Sequence, residues 1–197
     1  MLMQFSMTLQ INLLQHLAGN KMFEIELKAH VKDKNALKEK LNSFAVYKNS
    51  LVRDDQYFSK DKIKVRLRKE SNLTDKTDTF ILTYKQKETL SDTEVNDEKE
   101  CTLSSPDAFL SFINDAGFKI ELTKHKEVES WTYLGATIEL CNVPPLGDFI
   151  EIEILSSSND TKIVETAQQK LHDILKMCDI PLSEIENRYY SQMLKDI

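Results

Sequence analysis

Six pairs of like charges, each pair separated by a single residue, stand along the chain. Glu24/Glu26, Glu98/Glu100 and Glu151/Glu153 are acidic; Arg66/Arg68, Lys85/Lys87 and Lys124/Lys126 are basic. On an extended strand residues i and i+2 share a face, where like charges repel, and a wetted surface strand more naturally mixes signs. Any one pair reads as the solvated side of an antiparallel sheet. All six together make sense if the strands close into a barrel with these faces inward. Carboxylates are the hard oxygen ligands that Mg²⁺ or Mn²⁺ prefers. Arginine offers phosphate a two-pronged contact, and lysine a point charge. A polyanion accompanied by divalent cations satisfies both sets, and so many cationic groups suit a triphosphate rather than a single phosphate.

Strands must position these pairs. Phe23 to Lys28 alternates strictly, with Glu24, Glu26 and Lys28 on one face and Phe23, Ile25 and Leu27 on the other. Asp33 opens a helix through Leu41, an irregular stretch follows, and Gln56-Tyr57-Phe58 and Ile63 to Arg68 read as strands. Glu70 to Asp78 reads as a polar connection, Thr79 to Lys87 as a strand, and the residues up to Glu98 as a polar loop before Glu98 to Thr102. Ser105-Pro106 starts a helix that Gly117 ends. Strands Lys119 to Tyr133 and Ala136 to Val143 flank a turn at Gly135, and Pro144 to Gly147 turns the chain into Phe149 to Ile154. Asp160 caps a helix to about Met177, and Pro181 with the Ser183-x-x-Glu186 capping box predicts a last helix.

The 197 residues hold 26 Lys+Arg against 32 Asp+Glu, a net charge of -6, with 41% hydrophobic residues. That composition is globular, and the acidic balance argues against a broad nucleic-acid-binding surface. No apolar run approaches the ~20 residues of a membrane-spanning helix. Cys101, Cys141 and Cys178 form no Cys-x-x-Cys pair and no histidines form His-x-x-x-His, which speaks against structural zinc, a disulfide framework or a zinc hydrolase and for reduced thiols in the cytoplasm. Residues 1–20 contain no Lys, Arg, Asp or Glu. We read 1–21 as a dispensable extension before a domain spanning 22–197; the alternative is a short amphipathic helix carrying Leu9, Leu13, Leu14 and Leu17.

Taken in order, Glu24-Ile25-Glu26-Leu27-Lys28, Arg66-Leu67-Arg68, Leu82-Thr83-Tyr84-Lys85, Glu98-Lys99-Glu100, Lys124-His125-Lys126 and Leu146 to Glu153 resemble the CYTH superfamily, the triphosphate tunnel metalloenzymes, whose signature is ExExK. Asp55-Gln56-Tyr57-Phe58, the Leu146-Gly147 turn and Arg188-Tyr189-Tyr190-Ser191 look most like the bacterial class IV adenylyl cyclase branch. The resemblance implies an α+β fold: an antiparallel closed β-barrel of about eight strands forming a tunnel, with helices packed outside. It implies metal (Mg²⁺ or Mn²⁺) on Glu24, Glu26, Glu98, Glu100, Glu151 and Glu153, and triphosphate on Lys28, Arg66, Arg68, Lys85, Lys87, Lys124 and Lys126. Glu26, Lys28, Arg66 and Lys85 would be catalytic. It further implies ATP as substrate and a homodimer.

Three positions depart from the family pattern. Lys126 stands where arginine is usual, Arg53 where glutamine is expected, and Cys141 in place of an aspartate, with Glu139 two residues earlier on the same face. Cyclisation of ATP to 3′,5′-cyclic AMP and pyrophosphate is the first expectation. Hydrolysis of thiamine triphosphate or tripolyphosphate is the alternative, and non-catalytic binding of nucleotide or polyphosphate a third. Tyr57, Phe58 and Trp131 are candidates to stack on a base, although core packing is the plainer role for them. With Glu139 included, the proposed inward set is seven bases and seven acids, which would leave the whole excess of negative charge outside.

Overall fold

The computed structural model describes residues 23–90 and 93–197, and of residues 85–90 and 93–98 the backbone only. The expected N-terminal extension lies outside the described residues. The strands are β1 (Phe23–His30), β2 (Val46–Lys60), β3 (Ile63–Asn72), β4 (Thr77–Leu90), β5 (Thr93–Leu103), β6 (Lys119–Tyr133), β7 (Ala136–Val143) and β8 (Gly147–Ser156). They close into an antiparallel barrel in the order β1-β5-β4-β3-β2-β6-β7-β8. Two meanders, β2 to β5 and β6 to β8, are joined along β2 and β6, and β1 completes the ring. It pairs with β8 from Phe23↔Ser156 to His30↔Phe149 and with β5 only at Glu24↔Asn96, Ile25↔Val95 and Glu26↔Glu94.

The main apolar core lies outside the barrel, because β1 turns its alternate residues Phe23, Ile25, Leu27 and Ala29 away from the charged face. They pack with Trp131, Ile138, Leu140, Ile150 and Ile152 beneath α1 (Lys34–Phe44) and α3 (Thr161–Met177). Asp33 caps α1 by accepting the Ala36 N–H at 3.0 Å, and α1 buries Leu37 and Leu41. Helix α3 buries Val164, Ala167, Leu171, Ile174 and Leu175, an apolar stripe at helical spacing. A smaller cluster places Phe109 and Ile113 of α2 (Pro106–Asp115) over Phe58 and Leu67.

Several elements differ from the sequence expectation. The stretch before Gln56 is strand, so that β2 runs unbroken from Val46; its pairing shifts register at Tyr47/Asn49 and Tyr57/Phe58, which hides its period. The supposed polar loop before Glu98 is the start of β5, paired to β4 as far as Leu90↔Thr93. Ser105 and Asp160 precede their helices as expected but make no side-chain cap bond. The last predicted helix is replaced by a single 3₁₀ turn, Leu182–Glu184, and a four-residue helix α4, Tyr190–Met193. The chain between them is held as an extended strip: Ile185 bridges Ala29, and the Glu186 N–H donates to the Lys28 carbonyl at 2.8 Å. Tertiary pairing to the end of β1 outweighs the local capping pattern.

Candidate active site

The register that closes the barrel also lays its charges in rows. Across β1 and β8, Glu26 stands opposite Glu153 and Lys28 opposite Glu151, and Glu151 in turn stands opposite Glu139. Across β2, Arg53 is flanked by Lys126 and Glu70, and Asp55 by Lys124 and Arg68. Arg66 meets Thr83, and Thr83 meets Glu100. Paired residues of an antiparallel ladder share a face, so one continuous charged belt lines the interior.

The belt is knitted by ion pairs that are shielded from water. Asp55, with a side chain 0% exposed, accepts from Arg68 Nε at 2.7 Å and Nη2 at 3.1 Å, and Lys124 Nζ lies 3.0 Å away. Burial alone would raise the Asp55 carboxyl; Arg68, Lys124 and Arg66 overcome it and hold the group well below the usual carboxylate range. Arg53 forks onto both oxygens of Glu139 at 2.6 and 2.8 Å and reaches Glu70 at 2.7 Å. Lys126 pairs with Glu151 and stands 3.5 Å from Glu139. Burial opposes ionisation of both glutamates, but Arg53 and Lys126 keep Glu139 low, and Lys126 keeps Glu151 low. Cys141 is fully buried beside them; burial and the Glu151 charge push its thiol well up, so it stays protonated and neutral. Arg66 donates to Glu100 at 3.1 Å and to Thr83 at 2.9 Å, and Thr83 donates to Glu100 at 2.7 Å.

One end of the tunnel is filled. Tyr190 of α4 packs edge-on against Phe149 with ring centroids 5.1 Å apart, in a cluster with Leu51, Val128, Cys141, Val143 and Met193. The ammonium groups of Lys28, Lys124 and Lys126 lie 4.7, 5.1 and 5.8 Å from the centre of its ring, within reach of its π face. Lys28 also donates to the Arg188 carbonyl at 2.6 Å. The C-terminal segment therefore gathers three cations around one aromatic plug.

The expected site residues whose side chains are described are brought to one interior but sort into groups. Lys28, Arg66, Arg68, Lys124 and Lys126 all line it. Of the acidic set, Glu100 is bound to Arg66 and Glu151 to Lys126, and Glu24, Glu26 and Glu153 stand half-buried where β1 meets β8. For Lys85, Lys87 and Glu98 the side chains lie outside the described residues; their register sets Lys85 opposite Glu98 and Lys87 opposite Asn96. Of the base-stacking candidates, Trp131 and Phe58 belong to the outer clusters, and Tyr57 lies in the row of Arg66.

Alternation did not single out Arg53, Asp55, Glu70 or Tyr190. Arg53-x-Asp55 carries opposite signs and so imitates a wetted outer face, and Tyr190 has no period to betray it. With these included, the described inner face carries Lys28, Arg53, Arg66, Arg68, Lys124 and Lys126 against Glu24, Glu26, Asp55, Glu70, Glu100, Glu139, Glu151 and Glu153. Glu26 stands directly opposite Glu153, with Glu24 two residues along; this donor set is all carboxylate oxygen and fits Mg²⁺ or Mn²⁺.

A model of the CYTH domain matches residues 22–190. Among solved structures, a Pyrococcus horikoshii protein superposes with a TM-score of 0.77 at 25% identity, over 88% of this chain and 98% of that one. A candidate adenylate cyclase of Vibrio parahaemolyticus gives 0.68 at 16% identity over 88% and 98% of the two chains. A Hippeastrum protein, a candidate adenylyl cyclase with a dominant triphosphatase activity, gives 0.60 at 14% over 88% and 93%. No curated protein matches. With the barrel, the ordered charge pairs and the domain match in agreement over most of its length, the chain belongs to the CYTH domain family.

Proposed function

We propose that the protein is a metal-dependent enzyme that holds a triphosphate inside the barrel, and that its reaction is the cyclisation of ATP to 3′,5′-cyclic AMP and pyrophosphate. The observation that carries the triphosphate reading is the inner belt itself: buried guanidinium and ammonium groups within one ring of strands, beside a carboxylate cluster. Because carboxylates line the same ring as the bases, a polyanion is expected to enter in company with cations.

Glu24, Glu26 and Glu153 would hold a divalent ion, Mg²⁺ or Mn²⁺. When bound, that ion supplies charge neutralisation on the phosphates and activates an oxygen nucleophile. Arg66 and Arg68 on β3 and Lys124 on β6 stand on either side of β2 and bind successive phosphoryl groups. Arg66 is steadied by Thr83 and Glu100, so its fork is oriented before the ligand arrives, and such preorganised charge lowers the barrier to phosphoryl transfer. Lys28, fixed by the Arg188 carbonyl, neutralises the departing end. Lys85 and Lys87 extend the basic wall along β4, and Glu98 the acidic wall along β5.

The motif series favours the cyclase. One structural observation favours hydrolysis of the phosphate chain: Phe58 and Trp131 are committed to the outer clusters, which removes two of three residues that could stack on adenine.

Incubation with ATP, thiamine triphosphate or tripolyphosphate in Mg²⁺ or Mn²⁺, followed by product separation, decides between the two. Cyclic AMP with pyrophosphate supports the cyclase, and orthophosphate the hydrolase. Glu26→Ala or Arg66→Ala is expected to abolish turnover with the circular dichroism spectrum unchanged. Retained activity in either would remove that residue from the site.

A further inference from the structure

Most inner-face cations are named by the charge pairs of the sequence, but the buried carboxylate that binds two of them is not. Asp55 lies at the centre of three adjacent strands, with Arg68 on one side and Lys124 on the other. It accepts two N–H bonds from Arg68, at 2.7 and 3.1 Å, and Lys124 Nζ stands 3.0 Å from one of its oxygens. Tyr57 donates weakly from 3.4 Å. This is the fork-and-point-charge geometry with which Arg and Lys receive a phosphate. Asp55 takes two of the five guanidinium N–H donors and one of the three ammonium protons. Donors therefore remain for a ligand, but a fixed negative charge sits behind them.

We infer that Asp55 is a built-in counter-anion of the tunnel, a positioning residue that orients Arg68 and Lys124 and repels any phosphate that reaches them. The inference rests on the interior being an anion site. A lone phosphate gains little there, because the charge that would hold it is already compensated. A phosphate chain carries more charge and engages Arg66 and Lys126 as well, each likewise held by a carboxylate, and the summed contacts retain it. Asp55 thereby sets a minimum charge for the ligand, and it reclaims both cations when product leaves. Its depressed pKa, imposed by Arg68, Lys124 and Arg66 against the effect of burial, keeps it ionised at neutral pH.

The test compares wild type, Asp55→Asn and Asp55→Glu by calorimetric titration with inorganic phosphate and with tripolyphosphate, in the absence of turnover. Asp55→Asn is expected to bind phosphate at least about tenfold more tightly than wild type and tripolyphosphate by a smaller factor, so that discrimination narrows; Asp55→Glu retains the wild-type preference. In turnover, Asp55→Asn lowers kcat and KM together, because product leaves slowly. Unchanged or weaker phosphate binding by Asp55→Asn, or a lower kcat with a raised KM, overturns the inference. Should the Asn variant fail to fold in plain buffer, refolding in phosphate against chloride at equal ionic strength reads the same point. Recovery in phosphate alone supports the counter-anion, and failure in both overturns it. Wild type that binds neither anion would sink the anion-site reading itself; wild type that binds tripolyphosphate beside an unaltered Asn variant sinks only the role of Asp55.

Discussion

Single residues in this interior act through partners, and their substitution costs what it leaves behind. Arg53 holds Glu139 with two bonds and Glu70 with a third. Its removal takes that bond from Glu70 and leaves Glu139 with Lys126, 3.5 Å away, and breaking a buried pair in this way costs about 3–5 kcal/mol. Arg53→Ala is therefore expected to lower the unfolding midpoint in urea, whereas the double change Arg53→Ala with Glu139→Ala recovers part of the loss; a single variant as stable as wild type contradicts the network. The cysteines give a simpler forecast. Burial pushes the Cys178 thiol up to about 12, Cys141 is fully buried, and Cys101 is exposed. Alkylation of the native protein at pH 8 should add one label, on Cys101, and unfolding should admit two more, read by mass spectrometry. The signs of Glu24, Glu26, Arg66 and Arg68 made their faces legible, since repulsion between like charges has few explanations. Arg53 and Asp55 entered only through the family resemblance, without an inward role, because opposite charges at the same spacing have many explanations.

At the scale of elements, sequence pattern succeeded where one face of a strand or helix is apolar and the other is not. β1 and β7 were placed in this way, and α3 with its stripe from Val164 to Leu175. It failed where both faces are polar or the register slips. β2 carries charge inward at Arg53 and Asp55 and outward at Asp54, and its pairing shifts twice, so only its apolar end at Tyr57-Phe58 read as strand. The Ser183-x-x-Glu186 pattern failed for a different reason: Glu186 is spent on Arg188, with bonds at 3.0 and 2.6 Å, and on His30 at 3.3 Å, rather than on a helix N-terminus. Helix α3 supports β1 and β8 from outside and so holds the strands of Glu24, Glu26 and Glu153 in line. Leu171, which is 0% exposed, carries that contact, and Leu171→Ala is expected to cost about 2–5 kcal/mol, measured by urea denaturation. A loss under 1 kcal/mol would mean that the helix does not buttress the sheet.

For the whole molecule the balance of charge decides its response to acid. Asp55, Glu139 and Glu151 are all held below their ordinary values by neighbouring cations, against the opposing effect of burial. Groups whose folded-state pKa is depressed stabilise the fold above their unfolded value, about 4, and lose that stabilisation as pH falls toward the folded value. Urea midpoints should therefore form a plateau from neutral pH down to about 5 and fall steeply below about 4; a midpoint that rises on acidification would contradict the internal pairing. Chelation of divalent ions is expected to stop turnover while leaving the far-ultraviolet spectrum intact, because apolar packing outside the barrel holds the strands together. The barrel also bears on how the chain folds. β1 finds its long ladder with β8, 119 to 133 residues later in sequence, and its other edge meets β5 at three positions. Contacts so distant in sequence form slowly, because closure of a long loop precedes any reward. During synthesis β1 must wait, apolar face uncovered, until β8 has emerged from the ribosome, and the nascent protein is most open to misassociation in that interval.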